Sequence, residues 1–368
     1  LTTTTEPPKA ATEAPPADKR PPETPRVLHE RTLDDWLSLG GSAAGSLAMV
    51  WIIYERMLPT SGTLGFLVCW YIAFVLLYAA VSTLSNPGPA VRDRVAGAAV
   101  HAGAVVVGLG LVSVVAYTFW GGRDALPHLN ILTSDMAGTG PRDPLDQGGA
   151  LHAIAGSLVQ ISIAIAITLP LGVGTAVYMT EVGGKLSRVV RTIVEAMTAL
   201  PSIVAGLFIY STLIILLGVP NSGFAASMAI SVMMLPIIAR ASDVVLRVVP
   251  GGLREASLAL GASRWQTVWR VVLPTARPGL ATALILGVAR GIGETSPVLL
   301  TSGASTFLNV NPFEAPMNSL PLYVFNLVRS GEPLYIARAF GAAGILLGLV
   351  LLLFVIARLV ARQRIGRR

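Results

Sequence analysis

Eight apolar runs, each near the length needed to cross a lipid bilayer, limit what this chain can fold into. They cover roughly 37–54, 63–84, 95–120, 152–179, 199–218, 223–239, 279–300 and 334–357. A helix crossing the hydrocarbon core needs about 20 such residues. The runs are continuously apolar, where barrel strands would alternate, so helices are expected and a barrel is not. The first and sixth runs are the shortest, and the sixth contains Pro236. Composition agrees: 53% of the 368 residues are hydrophobic and 13% charged, with a mean hydropathy of +0.67, too apolar for a domain with a water-facing surface. The expected fold is an all-α membrane protein, a polytopic bundle of about eight transmembrane helices.

The net charge of +7 has a membrane explanation rather than a nucleic-acid one. With an even number of spans and the N-terminus inside, 21 of the 27 basic residues fall in cytoplasmic segments. Only Arg56, Arg123, Arg142 and Arg329 remain in outer loops, and Arg290 and Arg338 lie within spans. Basic residues concentrate on the cytoplasmic side, so both termini are expected there, with lipid as the surroundings and no nucleic-acid partner.

Several chemistries find no support. Cys69 is the single cysteine and lies in the second run, so no disulfide is expected. His29, His101, His128 and His152 lack metal-ligand spacing, so no metal and no cofactor are predicted. No nucleophile and base, and no clustered carboxylates, stand at the span ends, which argues against an enzyme. No basic segment followed by a short apolar stretch opens the sequence, so no cleavable leader is expected. Residues 1–36 read as a disordered, Pro- and Thr-rich cytoplasmic tail, 37–94 as a two-span extension turning at Leu58–Gly62, and 95–368 as the main body. A polar outer loop occupies 121–149, and a cytoplasmic stretch 240–278.

That last stretch carries the most specific signal. Leu253, Ala256 and Leu260 share one helical face, and Gly261 suits the positive φ that ends such a helix. Ser263 and Gln266 form a capping box that opens a second helix, with Trp265, Val268, Trp269 and Val272 as its apolar stripe before Pro274 ends it. On periodicity alone, a pair of helices lying on the headgroups fits as well as a docking element for a soluble partner.

Glu255-Ala256-Ser257, Gly261 and Val271-Val272-Leu273-Pro274 resemble the EAA loop of ATP-binding-cassette importer permeases. Ser257 stands where the pattern has alanine, and Val271 where it has isoleucine. Residues 95–360 more widely resemble the Pst-type phosphate permease in its A-subunit form. The segments that carry this include Thr168–Gly174, Arg191–Glu195, Pro201–Leu207, Met234–Arg240 and Ala289–Pro297. The resemblance implies a type I importer permease fold with an N-terminal two-helix extension that the usual six-span form lacks. It implies that the loop docks on a pair of ATPase subunits. It also implies a second homologous permease and an extracytoplasmic phosphate-binding protein as partners. The ATPase must be another chain: the phosphate-cradling pattern comes nearest at Gly184-Lys185, where Met179 replaces the first glycine and Leu186 the Ser or Thr. Another oxyanion such as sulfate or molybdate, and a signalling role without transport, are the alternatives.

Independently of any family, an arginine within a span marks a functional candidate. Arg290 and Glu294 are an i, i+4 pair beside the small-residue stripe Ala283, Gly287 and Gly291, so both charges are expected to point into the bundle, as a substrate contact or a packing lock. Arg191 and Glu195 are a secondary pair near the cytoplasmic end of the fifth span.

Overall fold

A computed structural model describes residues 33–57 and 62–361. The expected tail before Leu33, the Leu58–Ser61 part of the turn and the basic residues after Ala361 lie outside the described residues. The regular structure of the described residues is all helical, without strands. Seven helices are long and apolar enough to cross a membrane, or eight if one bent pair counts as a span. The chain is a multi-pass membrane protein. It divides into two compact units, Leu1–Gly110 and Leu111–Arg368, and the division falls inside a long helix.

In the first unit, α1 (Leu33–Trp51) and α2 (Thr63–Ser85) form a hairpin, and α3 (Gly88–Gly121) begins after Pro87. The Trp70 indole donates to the Ala43 carbonyl across the hairpin at 3.3 Å, and Arg94 of α3 is ion-paired with Asp35 of α1.

The second unit holds the core. Its elements are a short α4 (Asn130–Thr133), α5 (Leu151–Val177), α6 (Gly184–Thr198), α7 (Ser202–Ile209), α8 (Gly223–Val248), α9 (Gly251–Ala259), α10 (Arg264–Thr267), α11 (Leu273–Ile292), α12 (Ser296–Thr301), α13 (Leu320–Arg329) and α14 (Pro333–Ala361). The most enclosed span is α8, with α5, α6, α7, α11 and α12 around it. Helices in lipid gain little from burying apolar surface, so close packing has to hold them together. Gly287 and Gly291 of α11 supply it: a Cβ on either would strike Ile238 or Met234, both fully buried on α8. The expected stripe of Ala283, Gly287 and Gly291 is therefore the α8–α11 contact. Pro236 lies inside α8 without ending it, so the sixth run extends to Val248, well into the stretch expected to be loop.

Three expectations are corrected. The run 199–218 is not a straight span. The pair α6 and α7, the latter prolonged to Leu216, bends by 106° at Ala199–Pro201. Pro201 lacks an N–H and pushes the residue before it out of helical geometry, which is why the break falls there. The run 279–300 is likewise two elements. One continuous helical span runs from Arg264 to Ile292, then the chain breaks at Gly293–Thr295 before α12. Pro274, expected to end a helix, sits inside that span. A π-type turn over Val268–Val272 shifts the hydrogen-bond spacing just before Pro274, so the helix continues without the N–H that proline lacks.

The polar loop 121–149 is held by hydrogen bonds to its own chain and to two later helices. Arg338 of α14, 3% exposed, donates from one guanidinium nitrogen to the carbonyls of Asp143, Pro144 and Gln147 at 3.0, 2.7 and 2.9 Å. The Tyr335 hydroxyl donates to Thr139, the Tyr323 hydroxyl to Gly149, and the Asn130 amide to Leu145 and Gly148.

Candidate functional site

Two regions carry the sequence-predicted residues, and α11 joins them. At one end is the helical loop. Its first helix, α9, ends at Gly261, whose φ of +83° only glycine adopts without strain. Both bonds of the Ser263–Gln266 capping box are present, at 3.3 and 2.8 Å, and open α10. Ser257 and Thr267 bond through their hydroxyls at 2.9 Å, closing the two short helices on each other. Sequence reasoning missed the anchor of this loop. The Arg254 guanidinium donates twice to Glu181 at 3.0 and 2.9 Å, and to the carbonyls of Leu246 and Val249 at 2.8 and 2.7 Å. One planar fork thus ties α9 to the ends of two spans, a geometry that arginine suits and lysine does not.

The predicted apolar stripe divides. Val268 and Val272 are buried, the latter packed with Ala176, Leu246 and Ala276, whereas Trp265 and Trp269 remain 65% and 56% exposed, ring against ring at 5.5 Å. Leu253, Ala256 and Leu260 are exposed as well, and so is Glu255. Leu273 and Pro274 are half-buried at the start of α11.

At the other end of α11, about 26 Å away at 1.5 Å per residue, stand Arg290 and Glu294. Arg290 is in the last helical turn, where the carbonyl end of the helix favours a cation. Its Nε lies 3.0 Å from Glu294 Oε1. The expectation that both charges point inward fails for one of them: the Arg290 side chain is 56% exposed, while that of Glu294 is 8% exposed. Residues 290 and 291 are successive on a helix, hence about 100° apart, and Gly291 takes the face against α8. Glu294 lies past the helix end, where the chain has turned inward towards α12. The pair therefore spans from the bundle interior to its surface.

The secondary pair does not form. Arg191 instead makes a two-pronged bond to Asp243 of α8, at 3.0 and 3.3 Å, which Arg247 also approaches at 3.2 Å, and Glu195 is exposed. Asp243 and Gln160, the latter fully buried in α5 beneath Glu294, were not legible as site residues. Among the described residues, no cluster of three or more His, Cys, Asp or Glu side chains is grouped to hold a metal.

A bundle of this kind, with a helical loop projecting from one end, defines a class of multi-pass membrane proteins, and comparison assigns the family. Residues 168–366 match the model of the binding-protein-dependent transport system inner membrane component, and the chain belongs to that family. It is 44% identical over 197 residues to a phosphate transport system permease protein PstA 1 of Mycobacterium tuberculosis (strain CDC 1551 / Oshkosh), covering 53% of this chain and 65% of that one. It is 40% identical over 247 residues to a PstA of Mycobacterium leprae, covering 67% and 77%, and 31% identical over 264 residues to a PstA of Haemophilus influenzae, covering 69% and 92%. The chain thus spans just under two thirds of the first of these relatives. Among solved structures it is similar to an inward-facing MetNI methionine transporter, with 25% identity, a TM-score of 0.46, and 58% and 93% coverage.

Proposed function

We propose that this chain is the permease subunit of an ATP-driven importer and forms, with a second homologous permease, the membrane pathway for inorganic phosphate. The observation that carries the reading is the Arg290–Glu294 pair, a guanidinium presented at the bundle surface and backed by a buried carboxylate. The likeness to relatives named as phosphate permeases supports the choice of ion. Arg290 contacts phosphate in transit, in the space between this bundle and the second permease. Its planar fork bonds two oxygens of a tetrahedral oxyanion. Glu294 orients Arg290 and selects. Phosphate at neutral pH retains a proton to donate to a carboxylate, whereas sulfate has none and is repelled. The pair is itself neutral, so the attractive field for an anion comes from the partner permease or from helix ends.

In this reading the termini and the helical loop face the cytoplasm, as the distribution of basic residues supports. The exposed face of Leu253, Ala256, Leu260, Trp265 and Trp269, with Glu255 beside it, fits a groove on one of a pair of ATPase subunits. A phosphate-binding protein delivers the ion on the other side. The tail and the first two helices remain an added module, residues 1–94, on a permease body of 95–368. Two measurements test the proposal. Purification in mild detergent should bring down an ATPase and a second permease, and a strain lacking this chain should lose phosphate uptake and regain it with the wild-type chain. Recovery of uptake with Arg290→Gln at the wild-type rate would reduce the pair to a packing lock.

A further inference from the structure

Under the Arg290–Glu294 pair lies a small polar cavity with unusual chemistry. Ser157 and Gln160 of α5, Ser319 at the N-terminal cap of α13, and Glu294 line it together with the apolar Ile161, Ile230 and Val298. Its volume is about 10 Å³, the room of one water molecule. Two oxygens there, Gln160 Oε1 and Glu294 Oε1, are buried and accept no hydrogen bond from the protein. The Arg290 Nε lies within 3.0 Å of the latter without an N–H directed at it. Nor can the Gln160 amide turn over to supply a donor. Its nitrogen is committed to the Met317 carbonyl at 3.0 Å, which can only accept, and to the Ser302 hydroxyl at 3.3 Å, whose own proton goes to the same carbonyl. Two buried acceptors facing one small pocket need a donor between them. The two serines complete the set: Ser157 accepts from the Leu320 N–H at 2.8 Å and Ser319 from the Leu322 N–H at 3.4 Å, and each retains its own proton.

We infer that this cavity binds one water molecule, which donates to Glu294 and Gln160 and accepts from the serine hydroxyls, and that Gln160 thereby positions the selecting carboxylate. Water fits better than a monovalent cation. Arg290 already balances the charge of Glu294, so a cation would add an uncompensated charge to a buried site. The water also occupies the donor position that the acidic hydroxyl of a protonated oxyanion takes when it reaches Glu294. This part of the inference rests on the selective role given to Glu294 above.

Two readouts test it in the assembled transporter. A structure at water-resolving detail should show one oxygen within hydrogen-bond reach of both Gln160 Oε1 and Glu294. A direct carboxyl-to-amide contact, or the short all-oxygen shell of a bound cation, overturns the water. The second readout is a double-mutant cycle on the sulfate-to-phosphate ratio of half-inhibiting concentrations for phosphate uptake. Gln160→Met and Glu294→Gln should each lower the ratio several-fold, and together no further than Glu294→Gln alone, because both act through one water. Losses that multiply, or an unchanged ratio in Gln160→Met, overturn the positioning role while leaving selection by Glu294 intact. An unchanged ratio in Glu294→Gln sinks the selective role and the positioning role with it, and the structure alone then decides the water.

Discussion

At the residue scale, the charges on the spans divide by what they touch. Arg191 and Arg254 are held by protein groups, Arg338 is bonded through one guanidinium nitrogen while its buried Nε and Nη1 have no partner, and Arg290 alone of these four is more than half exposed. The partners of Arg191 and Arg338 lie 52 and more than 190 positions away, so the sequence shows the charge but not its mate. That is why Arg191 reads as a companion of Glu195 until the fold brings Asp243 to it. Asp243→Ala leaves Arg191 without its two-pronged acceptor in a largely enclosed site, and should cost about 1–3 kcal/mol. Glu195→Ala removes an exposed carboxylate and should change stability by no more than about 0.5 kcal/mol. Thermal unfolding in detergent checks both, and equal midpoints would mean that the Asp243 contact contributes nothing.

At the scale of elements, local chemistry was legible and continuity was not. Gly261 and the capping box of Ser263 and Gln266 are signals within a few residues, and both are found as read. Pro274 reads as a terminator because proline denies the helix one N–H. A π-type turn just before it supplies the compensation, and nothing in a residue pattern announces that turn. The result matters for the proposed coupling. The loop's second helix is continuous with α11, so in the proposed coupling a push on Trp265 and Trp269 would travel along one helical element towards Arg290. Gly261→Val would force a β-branched residue into positive φ and misalign α9 against α10. The mutant should insert in the membrane normally yet lose ATPase docking and uptake. Normal assembly with normal uptake would show that the loop is not the coupling element.

For the molecule as a whole, the apolar runs foretold a polytopic helical bundle because lipid leaves few alternatives, and family membership agrees with that reading. The runs did not foretell the 106° bend or the end of α11 at Ile292, since an apolar run records what lipid tolerates and not where the backbone turns. Orientation is open to direct test. In a Cys69→Ala background, a single cysteine within 121–149 should react with a membrane-impermeant thiol reagent in intact cells, and one at Leu253 should not. The opposite pattern would invert the proposed topology. The central claim is phosphate movement past Arg290, and the most direct measurement is ATP-driven phosphate uptake into proteoliposomes holding the complete transporter. Arg290→Lys retains the charge without the fork and should slow uptake heavily; Arg290→Gln should abolish it while the complex still assembles. Uptake by assembled Arg290→Gln transporter at the wild-type rate would contradict the account.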